Sequence, residues 1–218
     1  DLIIHCAASV PKNIKDYDKD STDSLIMVEN LLKTSNSPIV FISSMTVYGE
    51  NVINPVCESS IENPESKYAL SKWNSEQLIK KHKRKSLIIR IPGLFGLPRT
   101  DGLVANIITS LKNDKMPEMP NKPLLWAAMH VKDAADSIIK LSLSEWHGLI
   151  KVNVGYSDIC SISRVFEILN KTCKTNFIYK VKHPNFQFNL SVYQSLIGLQ
   201  KHTIKGGLKQ FGEELSQV

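Results

Sequence analysis

The stretch Pro38-Ile39-Val40-Phe41-Ile42-Ser43-Ser44 decides the fold. Four apolar residues, each β-branched or aromatic, follow a proline and run into two serines. The run is too short for a helix and does not alternate with polar residues. It therefore reads as a strand buried on both faces, as strands of parallel sheets are. Two similar runs flank it. Leu2-Ile3-Ile4-His5-Cys6-Ala7-Ala8 lies upstream, and Ser86-Leu87-Ile88-Ile89-Arg90-Ile91 lies downstream, stopped by Pro92-Gly93.

Helical periods fill the gaps between these runs. Asp20 to Lys33 carries Leu25, Ile26, Val28, Leu31 and Leu32 on one face, with Asp20 or Ser21 as cap. Ser66 to His82 is the clearest helix, entered from a loop over residues 49–64 that contains Pro55 and Pro64. Further on, helices are expected at Leu103–Leu111, Asp133–Leu143, Ser163–Lys171 and Gly207–Leu215, with a strand at Ile150–Val154. Pro117, Pro120 and Pro123 interrupt the chain between them, and the segment from Pro184 is mixed. Strands alternating with helices predict βαβ units and a parallel sheet. In such sheets ligands sit beyond the carboxyl ends of the strands. The residues there are Ala7-Ala8-Ser9, Ser43-Ser44 and Pro92-Gly93.

Composition excludes several function classes. Of 218 residues, 42% are hydrophobic, enough for a sizeable core, and no stretch approaches the ~20 apolar residues of a membrane span. No secretory leader is legible, so the expected localisation is cytoplasmic, with no membrane partner. The net charge of +6 has its densest source in Lys80, Lys81, Lys83, Arg84 and Lys85. These cations end a helix, where they complement the macrodipole. No aromatic residue interleaves with them, so they read as a solvated helix end and not as a nucleic-acid platform. Cys6, Cys57, Cys160 and Cys173 show no metal or redox spacing, and none of the six histidines has a second ligand at metal-binding spacing. No metal site is expected. Cys6, placed in an apolar strand, is expected to act as a small hydrophobe.

Tyr68-Ala69-Leu70-Ser71-Lys72 carries the chemistry. A spacing of four on a helix puts the phenol and the ammonium on one face. A free phenol titrates near ~10 and is a poor base at neutral pH. A neighbouring ammonium favours the phenolate. Ser44, 24 residues before Tyr68, can share a substrate oxygen with the phenol. The trio could move a proton on a hydroxyl while hydride leaves the same carbon.

These segments resemble the extended short-chain dehydrogenase/reductases, in particular the NAD-dependent epimerase/dehydratase family. Asp1-Leu-Ile-Ile-His-Cys-Ala-Ala8 is similar to a "D-hydrophobic-H-x-A-A" strand end, and Ser43-Ser44-Met-Thr-Val-Tyr48-Gly49 to the serine/threonine segment. Tyr68 and Lys72 match the catalytic pair. Arg90-Ile-Pro-Gly-Leu-Phe-Gly96, His130-Val-Lys-Asp133, Val152-Asn153-Val154-Gly155 and Gly206-Gly207-Leu208 follow in family order. The resemblance implies an α/β, Rossmann-like parallel sheet and a small C-terminal α/β substrate-binding region. Residues 1–98 would form a partial dinucleotide-binding domain. Residues 99–218 would be mostly substrate-binding, with about 124–155 returning to the first domain.

Roles follow from the resemblance. Ser44, Tyr68 and Lys72 would be catalytic, with Tyr68 the acid/base and Lys72 holding the nicotinamide ribose. Ala7, Ala8, Ser43, Tyr68, Lys72 and Pro92 would line NAD or NADP. Ser44, Tyr68 and Gly93 would meet the substrate, a small molecule of the nucleotide-sugar class, and a homodimer is expected. The family's G-x-x-G-x-x-G turn has no counterpart in the 218 residues, so the sheet is expected to lack its first strands and this turn, and the chain alone to hold NAD(P) weakly or not at all. Gly93 stands at a usual asparagine, Trp126 at a usual arginine, and Ser24 near a usual helix asparagine; Arg99 or Lys122 could replace the arginine. Met45 and Thr46 follow Ser44 where 4,6-dehydratases carry Asp-Glu, which disfavours that branch. A 4-epimerase or 4-keto reductase remains, with a surface-polysaccharide setting suggested by a composition rich in Lys, Asn and Ile. Two alternatives stay open: the same fold acting on a non-nucleotide alcohol or ketone, and an inactive truncated relative serving as a binding protein.

Overall fold

In chain order, the computed structural model consists of β1 (Ile3–His5), α1 (Asp23–Thr34), β2 (Ile39–Ser44), α2 (Lys67–Lys81), β3 (Ser86–Ile91), β4 (Gly93–Phe95), α3 (Leu103–Lys112), β5 (Ala128–His130), α4 (Val131–Leu143), β6 (Leu149–Asn153), α5 (Ile162–Thr172), α6 (Ser191–Ile197) and α7 (Ile204–Glu214). A 3-10 turn covers Met45–Tyr48. The structure describes residues 1–8 and 23–216. The caps expected at Asp20 and Ser21, and the position of Ser9, lie outside the described residues. No helix among the described residues is long and apolar enough to cross a membrane.

The main sheet is parallel and runs β1-β2-β3-β6. β2 and β3 are buried along their whole length, Ser43, Ser44, Ser86 and Arg90 included, as befits central strands of a parallel sheet. Alternation along the strands sends residues to two different layers. Ile39, Phe41 and Ile88 face α1 and α2, where Val28, Leu32 and Ile79 meet them. Val40, Ile42, Leu87, Ile89 and Ile91 face the larger core built with the C-terminal helices. Each such buried aliphatic side chain contributes roughly 1.5–3 kcal/mol relative to exposure. The same alternation turns Ser43 and Arg90, paired in register, toward α2.

β1 is an edge strand paired with β2, as expected for a sheet without its first strands, and among the described residues no strand covers its other edge. Ile4 is accordingly 43% exposed. Three expectations need correction. Cys6 is exposed just past the strand end and not buried as a small hydrophobe. β3 stops at Ile91, before Pro92-Gly93, as expected, and Gly93 then opens β4, which pairs in parallel with β5. Strands of three residues carry too little pattern to be read beforehand. The basic run is not wholly solvated. Arg84 donates to the Ser35 carbonyl, and Lys85 lies over Trp146 at 4.6 Å. Finally, the mixed tail contains α6, and α7 begins at Ile204, capped by Thr203, so Gly206-Gly207-Leu208 lies inside its first turn.

Candidate active site

Parallel pairing places the carboxyl ends of β1, β2 and β3 side by side. His5 pairs with Phe41, Ser43 with Arg90, and Ser44 with Ile91. Ala7 and Ala8 follow β1, and Pro92 follows β3, buried. Ser43, Ser44, Ala7, Ala8 and Pro92 thus come to one rim of the sheet, as their positions in sequence foreshadow.

Helix α2 delivers the phenol and the ammonium to that rim. Ser66 caps it, its side chain accepting from the Ala69 amide at 3.1 Å. Tyr68 sits half-buried in the first turn. Lys72, one turn later, is 4% exposed, and its Nζ donates to the Ile42 carbonyl at 2.8 Å. Its ammonium also lies 5.0 Å from the centre of the Phe41 ring. Burial lowers its pKa to about 8, against the opposing pull of Cys6 and Glu76. An ammonium has three donors, and two remain after Ile42 is served.

The two serines differ in role. Ser44 Oγ accepts from the Thr46 amide at 3.2 Å and from Thr46 Oγ1 at 3.0 Å, capping the 3-10 turn. Its own hydroxyl hydrogen is still available to donate. Ser43 is 2% exposed, and its hydroxyl donates to Glu76 Oε1 at 2.5 Å. Toward a ligand Ser43 can therefore present its backbone but not its side chain.

Behind the rim lies a buried polar network that sequence reasoning missed. Arg90 is fully buried. Its Nε donates to Glu76 Oε1 at 3.0 Å and its Nη2 to Glu76 Oε2 at 2.5 Å. The same Nη2 meets Glu62, which also accepts from Lys151 at 2.7 Å and from the Trp73 indole at 2.8 Å. Burial would raise the Glu62 pKa, but the hydrogen bonds from Lys151, Arg90 and Trp73 hold it at about 2. Burial likewise opposes the Arg90 charge, yet Glu76 holds the guanidinium above its ordinary pKa. The guanidinium also stacks over Tyr48 at 4.7 Å, and the Tyr48 hydroxyl donates to Asn153 at 2.7 Å. The available signal was the spacing of Glu76, four residues after Lys72. Glu62 carried none, because its partners are far away in sequence.

The remaining expected positions spread out. Gly93 is exposed on β4, and a Cβ there would lie 3.3 Å from the Ala127 carbonyl and 3.6 Å from the Trp126 indole nitrogen. The Trp126 ring therefore occupies space beside the strand that a longer side chain at 93 would contest. Arg99 is exposed and paired with Asp101 at 2.6 Å, and Lys122 is exposed on a loop. Neither is hydrogen-bonded to a rim residue among the described residues. Ser24 is buried in α1. A recess beside the rim is lined by Pro92, Ala127, Gly155, Gln187 and Phe188. The His130-Val-Lys-Asp133 segment builds a separate cluster. The Tyr156 hydroxyl accepts from the His130 amide at 2.9 Å and donates to Asp133 at 2.6 Å. No cluster of three or more metal-ligating side chains occurs among the described residues.

Comparisons with known proteins place the chain in a family and a fold. Residues 1–140 match the family model described as the RmlD substrate binding domain. A protein of Methanocaldococcus jannaschii, provisionally named a UDP-glucose 4-epimerase, is 29% identical over 187 residues, covering 78% of this chain and 60% of that protein. The chain thus spans about 60% of that relative's length. A UDP-glucuronic acid 4-epimerase mutant from Bacillus cereus, solved with NAD and a fluorinated UDP-sugar, superposes with a TM-score of 0.83 at 19% identity, covering 100% of this chain and 76% of its own. The dTDP-glucose 4,6-dehydratase of Bacillus anthracis, solved with NAD, gives 0.81 at 18% identity, covering 99% and 72%. At such identities the likeness shows the fold, a Rossmann-type parallel sheet shared by epimerases and dehydratases alike.

Proposed function

Since the chain belongs to the RmlD substrate-binding-domain family, of the extended short-chain dehydrogenase/reductase type, we propose that it carries the proton-handling half of an NAD(P)-dependent sugar-nucleotide 4-epimerase or 4-keto reductase. The observation that carries this reading is Lys72. Its buried ammonium is fixed at the strand rim by the Ile42 carbonyl, beside Ser44 and one helical turn from Tyr68. The chemistry of this donor set suits a nicotinamide ribose. Among the described residues Lys72 keeps two N–H donors beyond the Ile42 carbonyl, which match a pair of ribose hydroxyls.

A bound nicotinamide supplies the hydride acceptor and donor. The residues do the rest. Tyr68 takes the proton from the sugar hydroxyl and returns it in the reverse step. Lys72, charged, stabilises the phenolate that Tyr68 passes through. Ser44 donates to the reacting oxygen, its own oxygen already held by Thr46. Met45 and Thr46 have no acid/base group suited to eliminating water, which separates this rim from 4,6-dehydratase chemistry.

The test is incubation of the complete gene product with UDP- and dTDP-hexoses and their 4-keto forms, in NAD or NADPH, with inversion or reduction at C4 followed by proton NMR. Turnover of at least one sugar, lost in Tyr68→Phe, is expected. Inert nucleotide sugars alongside a reduced non-nucleotide ketone would move the substrate class to the other alternative.

A further inference from the structure

The ammonium of Lys72 sits among few charges. From β1, His5 and the Cys6 thiol face it; from β2, the Ile42 carbonyl and the Phe41 ring; from its own helix, Glu76 and, a turn earlier, Tyr68. Among the described residues, Glu76 is the carboxylate whose charge acts on it. Glu76 is 2% exposed and four residues after Lys72, so both lie on the face of α2 that meets the sheet.

Glu76 is also the point where α2 is fastened to the strands. It accepts from Ser43 on β2 and from two nitrogens of Arg90 on β3. Those strand residues are directly paired. A bidentate guanidinium–carboxylate pair fixes geometry as well as charge. The spacing 68, 72, 76 then carries that anchor in single helical turns to the ammonium and to the phenol. Glu62 is shared between Arg90 and Lys151, so removing Glu76 leaves Arg90 with one shared carboxylate. The Lys72 ammonium then keeps only the Cys6 sulfur as a described group whose negative charge would act on it.

We propose that Glu76, locked by Arg90 and Ser43, is a positioning residue that keeps Lys72 charged and aimed at the strand rim. This rests on the reading of Lys72 and Tyr68 as the proton-handling pair, but its test does not. In the 218-residue chain labelled with 13C at lysine Cε, the Lys72 resonance is assigned by its loss in Lys72→Arg, and its titration midpoint is followed by NMR. In Glu76→Gln the midpoint is expected to fall by about one unit, as for loss of a close opposite charge. Glu76→Gln strands Arg90 as an unpaired buried charge, which could unfold the chain. The double variant Glu76→Gln with Arg90→Met removes both members of the pair; because the opposing Arg90 charge goes with that of Glu76, a smaller fall in the same direction is expected. A purely structural role for Glu76 would lower stability and leave the midpoint where it was. A midpoint that does not fall in Glu76→Gln, or in the double variant where the single variant unfolds, overturns the proposal. If the midpoint falls while the complete protein turns over no sugar nucleotide, the function assigned above fails and the role of Glu76 stands.

Discussion

Lys72 reaches from α2 to the carbonyl of Ile42 at 2.8 Å, which buries an ammonium against the last turn of a strand. The contact costs stability in order to place a charge. Its unfolded pKa is 10.5 and its folded value about 8, because burial penalises the charged form. Below about pH 8 both states are protonated and the folded state bears the whole cost. Between about 8 and 10.5 the unfolded chain holds more protons, so stability gains as pH rises through this window.

Lys72→Met should therefore stabilise the chain at pH 7. The shift corresponds to about 3 kcal/mol, less what the lost hydrogen bond and ring contact contribute. A net gain of roughly 1–2 kcal/mol is expected in urea unfolding, shrinking toward zero near pH 10.5. A variant less stable than the parent at pH 7 contradicts this account of the burial.

Tyr68→Phe in the complete protein should abolish turnover and leave cofactor binding intact. The phenol, and no other group, is removed from the proton path. Retained turnover measured by C4 inversion or reduction would sink the assignment of Tyr68.

Glu62 governs acid stability. Burial opposes its charge, but Lys151, Arg90 and Trp73 hold its folded pKa at about 2 against a reference of 4.5. A depressed carboxylate stabilises fully above its unfolded pKa, and the contribution is lost as pH falls through the folded one. The loss of stability between pH 4.5 and 2 should be visibly shallower in Glu62→Gln, followed by circular dichroism. An identical acid profile argues that Glu62 does not hold its bonds in solution.

Gly207 lies inside α7, where Gly→Ala ordinarily gains about 1 kcal/mol. Here a Cβ would lie 2.3 Å from the Tyr156 hydroxyl, itself tied to His130 and Asp133. Gly207→Ala should lose roughly 1–3 kcal/mol instead. Gly96→Ala should cost at least as much, since its φ is +112° and its Cβ would meet His130 Nε2 at 2.6 Å. Thermal melts of both variants check the sign.

Where the fold was legible, the pattern was local and long. β2 and β3 read as buried because three or four apolar residues run together without alternation. α2 read as a helix from its period and from Ser66 at its start, and the structure begins it at Lys67. β4 and β5 were not legible, because each has three residues and is defined by pairing with the other. β1 read as a strand from its apolar run, and its exposed edge followed from the expectation that the sheet lacks its first strands. The site divides in the same way. Tyr68 and Lys72 share a face through a spacing any reader of the helix can count. The carboxylate that neutralises Arg90 is 14 residues away, and the second is 28 away.

The sequence alone determined that parallel strands would bring Ala7, Ser44 and Pro92 to their carboxyl ends, and that one helix face would hold a phenol above an ammonium. Those features follow from periodicities of two and 3.6, which a chain carries in its own order. The tertiary structure decided which of the two serines keeps its hydroxyl for a substrate and which gives it to Glu76. It also decided that Arg90 is a buried anchor. Such choices depend on strand register, since moving β2 by one residue against β3 would unpair Ser43 from Arg90 and turn its side chain to the other face.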